Sequence, residues 1–133
     1  MRDLNSTLLY NWFEEVWNRN DENAIDKLMT EDAAFSGIET GEGAKGASGF
    51  KLFFRDFTKQ FHDINIVVEQ VVSENDMESA RTVIYATHAE SGKSIVVPGI
   101  CMIRVSNGKI AEAWNNYDFL SLSQQIGQKL VPA

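Results

Sequence analysis

The hydrophobic pattern changes its period once along this chain, close to Asp63. From Asn5 to Asn18 the residues Leu8, Leu9, Trp12, Phe13, Val16 and Trp17 recur at intervals of three and four, the spacing of an amphipathic helix. Ser6 or Asn5 is placed to cap it. Asp21 offers a second N-cap, ahead of "DENAIDKLM", in which Ile25 and Leu28 turn inward. "AAFSGIETGEGAKGASG" reads as a short strand and then a glycine-rich connection. Phe50, Phe53, Phe54, Phe57 and Phe61 follow at helical spacing and predict a third helix with one face of phenylalanine.

Beyond Asp63 the runs are rich in β-branched residues: Ile64 to Val72, Arg81 to Glu90, Ser94 to Val105, and Lys109 to Asp118. Turn signals at "ENDME", "SGK" and "SNGK" separate them. Asn107-Gly108 is the strongest, because both central residues of a type I′ turn need positive φ. Phe119 to Leu130 returns to helical spacing. The prediction is one α+β domain over residues 1–133, with the helices gathered on one face of a long antiparallel meander. Such long strands coil, and a curved sheet facing a helix encloses a hollow.

Counting outward from Asn107-Gly108 pairs Cys101 with Trp114 and Gly99 with Asn116. Pro98 then falls at a hydrogen-bonded position with no N–H to give, so a bulge or break is expected at Pro98-Gly99. The last strand divides into a bulky set (Ile110, Glu112, Trp114, Asn116, Asp118) and a small one (Ala111, Ala113, Asn115, Tyr117). The first set, with Gly99, Cys101 and Ile103, is expected to line the hollow as apolar walls carrying a few polar groups. Ala111, Ala113, Tyr117, Met102 and Ile100 are expected to form a flat outer patch covered by a second subunit, making a homodimer.

Composition narrows the function classes. The chain of 133 residues is 44% apolar and 11% aromatic, which suits a single globular domain with a sizeable core. Its net charge of −7, without a Lys/Arg cluster, argues against nucleic acid and against an anionic membrane. No run has the apolar length of a membrane span, and the acidic, amphipathic start is unlike a secretory signal, so the cytoplasm is the expected compartment. Cys101 is the single cysteine and reads as a small buried apolar residue. His62 and His88 lie too far apart for a metal motif. "GEGAKG" lacks the spacing and the Lys-Ser/Thr ending of a phosphate loop. No metal and no organic cofactor are expected.

"NWFEEVWNRND", "ATHAE" and "RVSNGKIAEAWNNYDFLSLSQQIG" together resemble the SnoaL-like polyketide cyclase family, of the nuclear-transport-factor-2-like superfamily. The most specific part is Gly108, Lys109 and Ile110, followed by Trp114 and, four residues on, Asp118. The resemblance covers nearly the whole chain and implies a cone-shaped α+β domain. Its N-terminal helices would pack on a strongly curved, mixed and mostly antiparallel sheet, with a C-terminal helix, an internal pocket and usually a homodimer. Two branches fit poorly. Where ketosteroid isomerase-like members use a tyrosine and an aspartate, this chain has Phe13 and Gly37; where limonene epoxide hydrolase-like members carry an acid, it has Asn116. "HAESGKSIVV" closes in a shorter turn than such cyclases commonly carry, which points to a smaller or more open pocket.

The resemblance implies a cofactor-independent cyclase, isomerase or hydratase acting on a small, mostly apolar carbonyl compound. Asp118 is then the expected acid/base group, with its pKa raised by burial beside Trp114, although it can equally cap the last helix. His88 is the second candidate, on the same side of its strand as Ile84 and Ala86, where it can also be structural. Trp114, Asn116, Trp12, Phe53, Phe57 and Cys101 are expected to contact the substrate. The alternatives are a non-catalytic ligand-binding or dimerisation domain and, with less support, a protein-interaction adaptor; a fold alone does not choose.

Overall fold

The first apolar stripe winds through three helical forms in succession. In the computed structural model, which describes residues 3–38 and 45–128, a 3-10 turn at Leu4–Ser6 leads into α1 (Leu8–Trp12) and then a π-helical segment, Phe13–Asn18. The wider π winding, with Arg19 N donating to Glu14 O at 2.9 Å and Asp21 N to Val16 O at 3.1 Å, keeps Phe13, Val16 and Trp17 on the same dry side as Trp12. The cap is Thr7 rather than Ser6 or Asn5: its hydroxyl accepts from Tyr10 N at 3.2 Å. The amides of Leu8 and Leu9 donate to the Glu78 carboxylate at 3.1 and 2.9 Å, a negative charge where the helix dipole favours one.

α2 (Asn23–Leu28), β1 (Met29–Ser36) and α3 (Gly46–Gln60) follow, then β2 (Phe61–Glu74), β3 (Met77–His88), β4 (Ser94–Ser106), β5 (Lys109–Tyr117) and α4 (Phe119–Gln125). The N-cap position of α2 is Glu22 rather than Asp21; Asp21, one residue earlier, accepts from Asn23 N at 3.0 Å. The sheet order is β1-β5-β4-β3-β2. β1 runs parallel to β5 and the other pairs are antiparallel, so the sheet is mixed and mostly antiparallel as expected. Asn107 and Gly108 both take positive φ, 53° and 76°, as a type I′ turn demands. Most of "GEGAKG", and the end of the expected last helix at Leu130, lie outside the described residues. Among the described residues no helix is long and apolar enough to cross a membrane.

The expected register fails at one point. Ser106 faces Lys109 and Val105 faces Ile110, but Arg104 faces Glu112, which leaves Ala111 as an extra residue. A bulge of one residue exchanges the two faces of everything beyond it. Cys101 therefore pairs with Asn115 and Gly99 with Tyr117, not with Trp114 and Asn116. No bulge occurs at Pro98-Gly99, since the β3–β4 register runs on through Val83–Pro98 and Thr82–Gly99. Pro98 is tolerated because its carbonyl, accepting from Asp118 N at 3.4 Å, points to where β5 has ended. Its missing N–H would point the same way and meet no strand.

Two side-chain amides complete the ladder where a strand lacks a partner. Asn18 pairs both ways with Ile66 on the β2 edge, accepting at 2.6 Å and donating at 2.9 Å. Gln125 of α4 does the same for Val96 beyond the end of β5, at 2.8 and 2.9 Å. An amide side chain offers the donor and acceptor of a peptide group, so each satisfies a backbone pair that would otherwise depend on water.

Candidate functional site: an aromatic chamber with a hydroxyl pair

The phenylalanine stripe of α3 and the tryptophans of the first helix meet in one cluster. Trp17 has four phenylalanine rings of α3 around it, with centroids 5.0 to 6.1 Å away, and Trp12 lies 4.9 Å from Phe50, edge to face. Opposite them stand the inward residues of the sheet: Ile66, Ile84, Cys101, Ile103, Ile110 and Ala113. The space between is a narrow cavity of about 50 Å³. A water needs roughly 10–15 Å³, so this space admits a few waters or the end of a ligand.

Beside it a row crosses three strands, Thr82, Gly99 and Tyr117, of which Tyr117 lines the cavity. The Tyr117 ring crosses the strand between at Gly99. A Cβ there would lie 2.2 Å from Tyr117 Cδ1, so the ring rests where only hydrogen is tolerated. Its hydroxyl thereby reaches Thr82 Oγ1 at 2.8 Å, and the Thr82 hydroxyl also has Gly99 O at 3.4 Å. Burial, with Cys101 adding to it, pushes the Tyr117 phenol well above its usual 10.0, although the Thr82 hydrogen bond acts the other way. Burial pushes the Cys101 thiol up to about 12. Both are neutral at physiological pH. Asn115 joins the lining, with its amide nitrogen donating to Ser36 O at 2.9 Å.

Trp12, Phe53, Phe57 and Cys101 line the chamber. Trp114 and Asn116 do not: the bulge turns them outward, and Trp114 is 36% exposed beside Met102. The expected patch changes likewise, because Ala113 and Tyr117 face inward. Asp118 is exposed beyond the end of β5 and caps α4, accepting from Ser121 N at 2.9 Å; burial beside Trp114 is not its situation. His88 does lie on the inner side of β3, but at its far end, where Nδ1 meets Ser91 Oγ at 2.7 Å in an open groove with Lys59 and Gln60. Among the described residues, no aspartate, glutamate or histidine lines the chamber. Among the described residues no three His, Cys, Asp or Glu side chains gather as a metal would require.

The sequence reading missed Tyr117, Thr82 and Asn115. A signal was present in Gly99, since a glycine within a strand often marks a place where another group approaches closely.

Comparison with known proteins agrees with this architecture. The family model described as SnoaL-like polyketide cyclase matches residues 7–126. A Bacillus cereus ATCC 10987 structure, described as a candidate polyketide cyclase, is 27% identical with a TM-score of 0.79, over 92% of this chain and 82% of that one. TsrD from Streptomyces laurentii is 19% identical with a TM-score of 0.83, covering 97% of this chain and 99% of its own. A Catenulispora acidiphila protein with a ketosteroid isomerase-like fold, in complex with trimethylamine, is 14% identical with a TM-score of 0.80, over 94% and 97% of the two chains. No curated protein matches.

Proposed function

The chain belongs to the SnoaL-like polyketide cyclase family, and on that premise we propose that it receives the carbonyl end of a small, mostly apolar compound in the chamber. The Tyr117 hydroxyl donates to the carbonyl oxygen. The observation that carries this reading is the Tyr117–Thr82 pair, 2.8 Å apart, set among aromatic and aliphatic walls. Thr82 can turn its proton to Tyr117 while Tyr117 turns its own to the ligand, and in a dry site the two bonds strengthen each other.

Ring closure by an aldol step forms a carbon–carbon bond from an enol carbon to the carbonyl carbon. The enol proton is released to water, and the carbonyl oxygen gains charge and takes up a proton. A neutral donor poised at that oxygen stabilises it as the charge develops. With Tyr117 and Cys101 both held neutral, the described residues of the chamber supply donors rather than a base. That same chemistry supports a second reading, a non-catalytic binder, in which Tyr117 selects carbonyl ligands without turning them over.

One measurement tests the shared part. Wild-type protein should bind 2-acetonaphthone about tenfold more tightly than 2-ethylnaphthalene, the worth of one buried hydrogen bond, and Tyr117→Phe should remove that preference. An equal affinity of wild type for both ligands overturns the reading. For the catalytic form, Tyr117→Phe should lower kcat with little change in KM.

The outer sheet face supports the proposal of a homodimer. Tyr85, Val96, Ile100, Met102 and Trp114 are all exposed there on neighbouring positions of three strands. A second copy would take this apolar surface out of water.

A further inference from the structure

The chamber is too small for the ligands its family suggests, and the space beside it is not. A cleft of about 330 Å³ lies between α3 and α4, against the roughly 300–1,000 Å³ of ordinary ligand pockets. Phe53, Phe57 and Phe119 line both spaces, so the two share an aromatic wall. The cleft floor is apolar while Asp56, Gln60 and Ser123 stand at it, which suits a flat aromatic body with polar substituents. Its outer wall, α4, is weakly held: in this seven-residue helix Leu122 alone is buried, and Leu120 is half exposed. Among the described residues the paired amide of Gln125 on Val96 ties its end to the sheet, while the Asp118 cap closes only the helix's own first turn.

We propose that the α3–α4 cleft is the second half of the ligand site, taking the body of an elongated aromatic ketone, and that α4 is a movable wall latched by Gln125 on Val96. The inference rests on the reading of the chamber as the carbonyl subsite. Phe119 follows Asp118 directly and lies 6.2 Å from the Tyr117 ring. A swing of α4 about Asp118 therefore carries Phe119 away from the chamber and joins the two spaces. When Gln125 lets go, the Val96 N–H and C=O face water, so opening leaves no backbone group stranded.

The test uses prodan, a naphthalene ketone whose emission reports both burial and hydrogen bonding to its carbonyl, in stopped-flow mixing with the full chain. Gln125→Leu, which cannot pair with Val96, should speed association and dissociation together by about tenfold and change the equilibrium affinity less than threefold. Ser123→Trp, which fills the cleft from its rim, should weaken binding at least tenfold. Unchanged rates in Gln125→Leu, or unchanged affinity in Ser123→Trp, overturn the proposal, as does wild-type protein that takes up no prodan. Failure of the carbonyl reading is distinct: Tyr117→Phe would then leave the emission wavelength of bound prodan unaltered, whatever the kinetics show.

Discussion

The ring of Tyr117 lies on the backbone of Gly99, so closely that a methyl group on that glycine would sit 2.2 Å from the ring edge. This contact turns a strand residue into a bridge. Without it, the tyrosine would stand up from the sheet into the chamber; with it, the hydroxyl reaches Thr82 one strand further on.

Gly99→Ala should therefore act on the site through shape alone. The ring must lift, the Tyr117–Thr82 bond must break, and overpacking of this kind costs roughly 1–3 kcal/mol. Urea unfolding should show that loss together with a fall in the ketone preference, whereas Gly92→Ala, where nothing lies within 4 Å but φ is +72°, should cost stability through backbone strain alone and leave the preference intact. Equal ketone preference in Gly99→Ala and wild type would show that the ring does not need the glycine.

Asp118 is held by its capping bond to Ser121 N, and an asparagine caps as well as an aspartate. Asp118→Asn should leave stability and ligand affinity within experimental error, while Asp118→Ala should cost about 1 kcal/mol. A large loss of turnover in Asp118→Asn with unchanged stability would restore it to the chemistry.

Alkaline pH should destabilise the fold through the chamber. The Cys101 thiol is raised from 9.0 to about 12 by burial, and Tyr117 is raised from 10.0. Above pH 9 the unfolded chain gives up protons that the folded chain keeps, so stability is full below pH 9 and falls as pH climbs toward 12. Each such group contributes a slope of up to about 1.4 kcal/mol per pH unit. Cys101→Val should flatten the part of the decline that begins at pH 9, as read from urea midpoints; a wild-type midpoint constant from pH 8 to 11 would contradict the burial of both groups.

The outer face gives an independent prediction. Met102 and Trp114 are cross-strand partners there, both exposed. Met102→Glu should convert a dimer to monomer in sedimentation equilibrium without disturbing ketone binding inside the cone. A wild-type protein that sediments as a monomer at micromolar concentration would remove the proposed contact.

Much of this was legible along the chain because it depends on neighbours in sequence. The i, i+3, i+4 spacing from Leu8 to Trp17 produced one continuous buried face, although its second half winds as a π-helix. Asn107-Gly108 made the turn that its positive φ values require, and the phenylalanine stripe of α3 formed the aromatic wall. Trp12, Phe53, Phe57 and Cys101 line the chamber because each lies on an element whose face is set by local periodicity. The β1–β5 pairing is different in kind, since it joins strands far apart in the chain.

Which side of β5 is dry was decided by tertiary structure alone. Ala111 drops out of register between Ile110, which faces Val105, and Glu112, which faces Arg104 and accepts from its Nε at 2.8 Å. Where a twisted sheet absorbs one surplus residue depends on its partner strand and on such cross-strand pairs, neither of which appears in the alternation of a single strand. Local pattern thus determined the elements and most of the chamber wall. The fold determined that Tyr117, not Trp114, faces inward, because a shift of one residue exchanges the two faces of a strand while leaving its hydrophobic pattern unchanged.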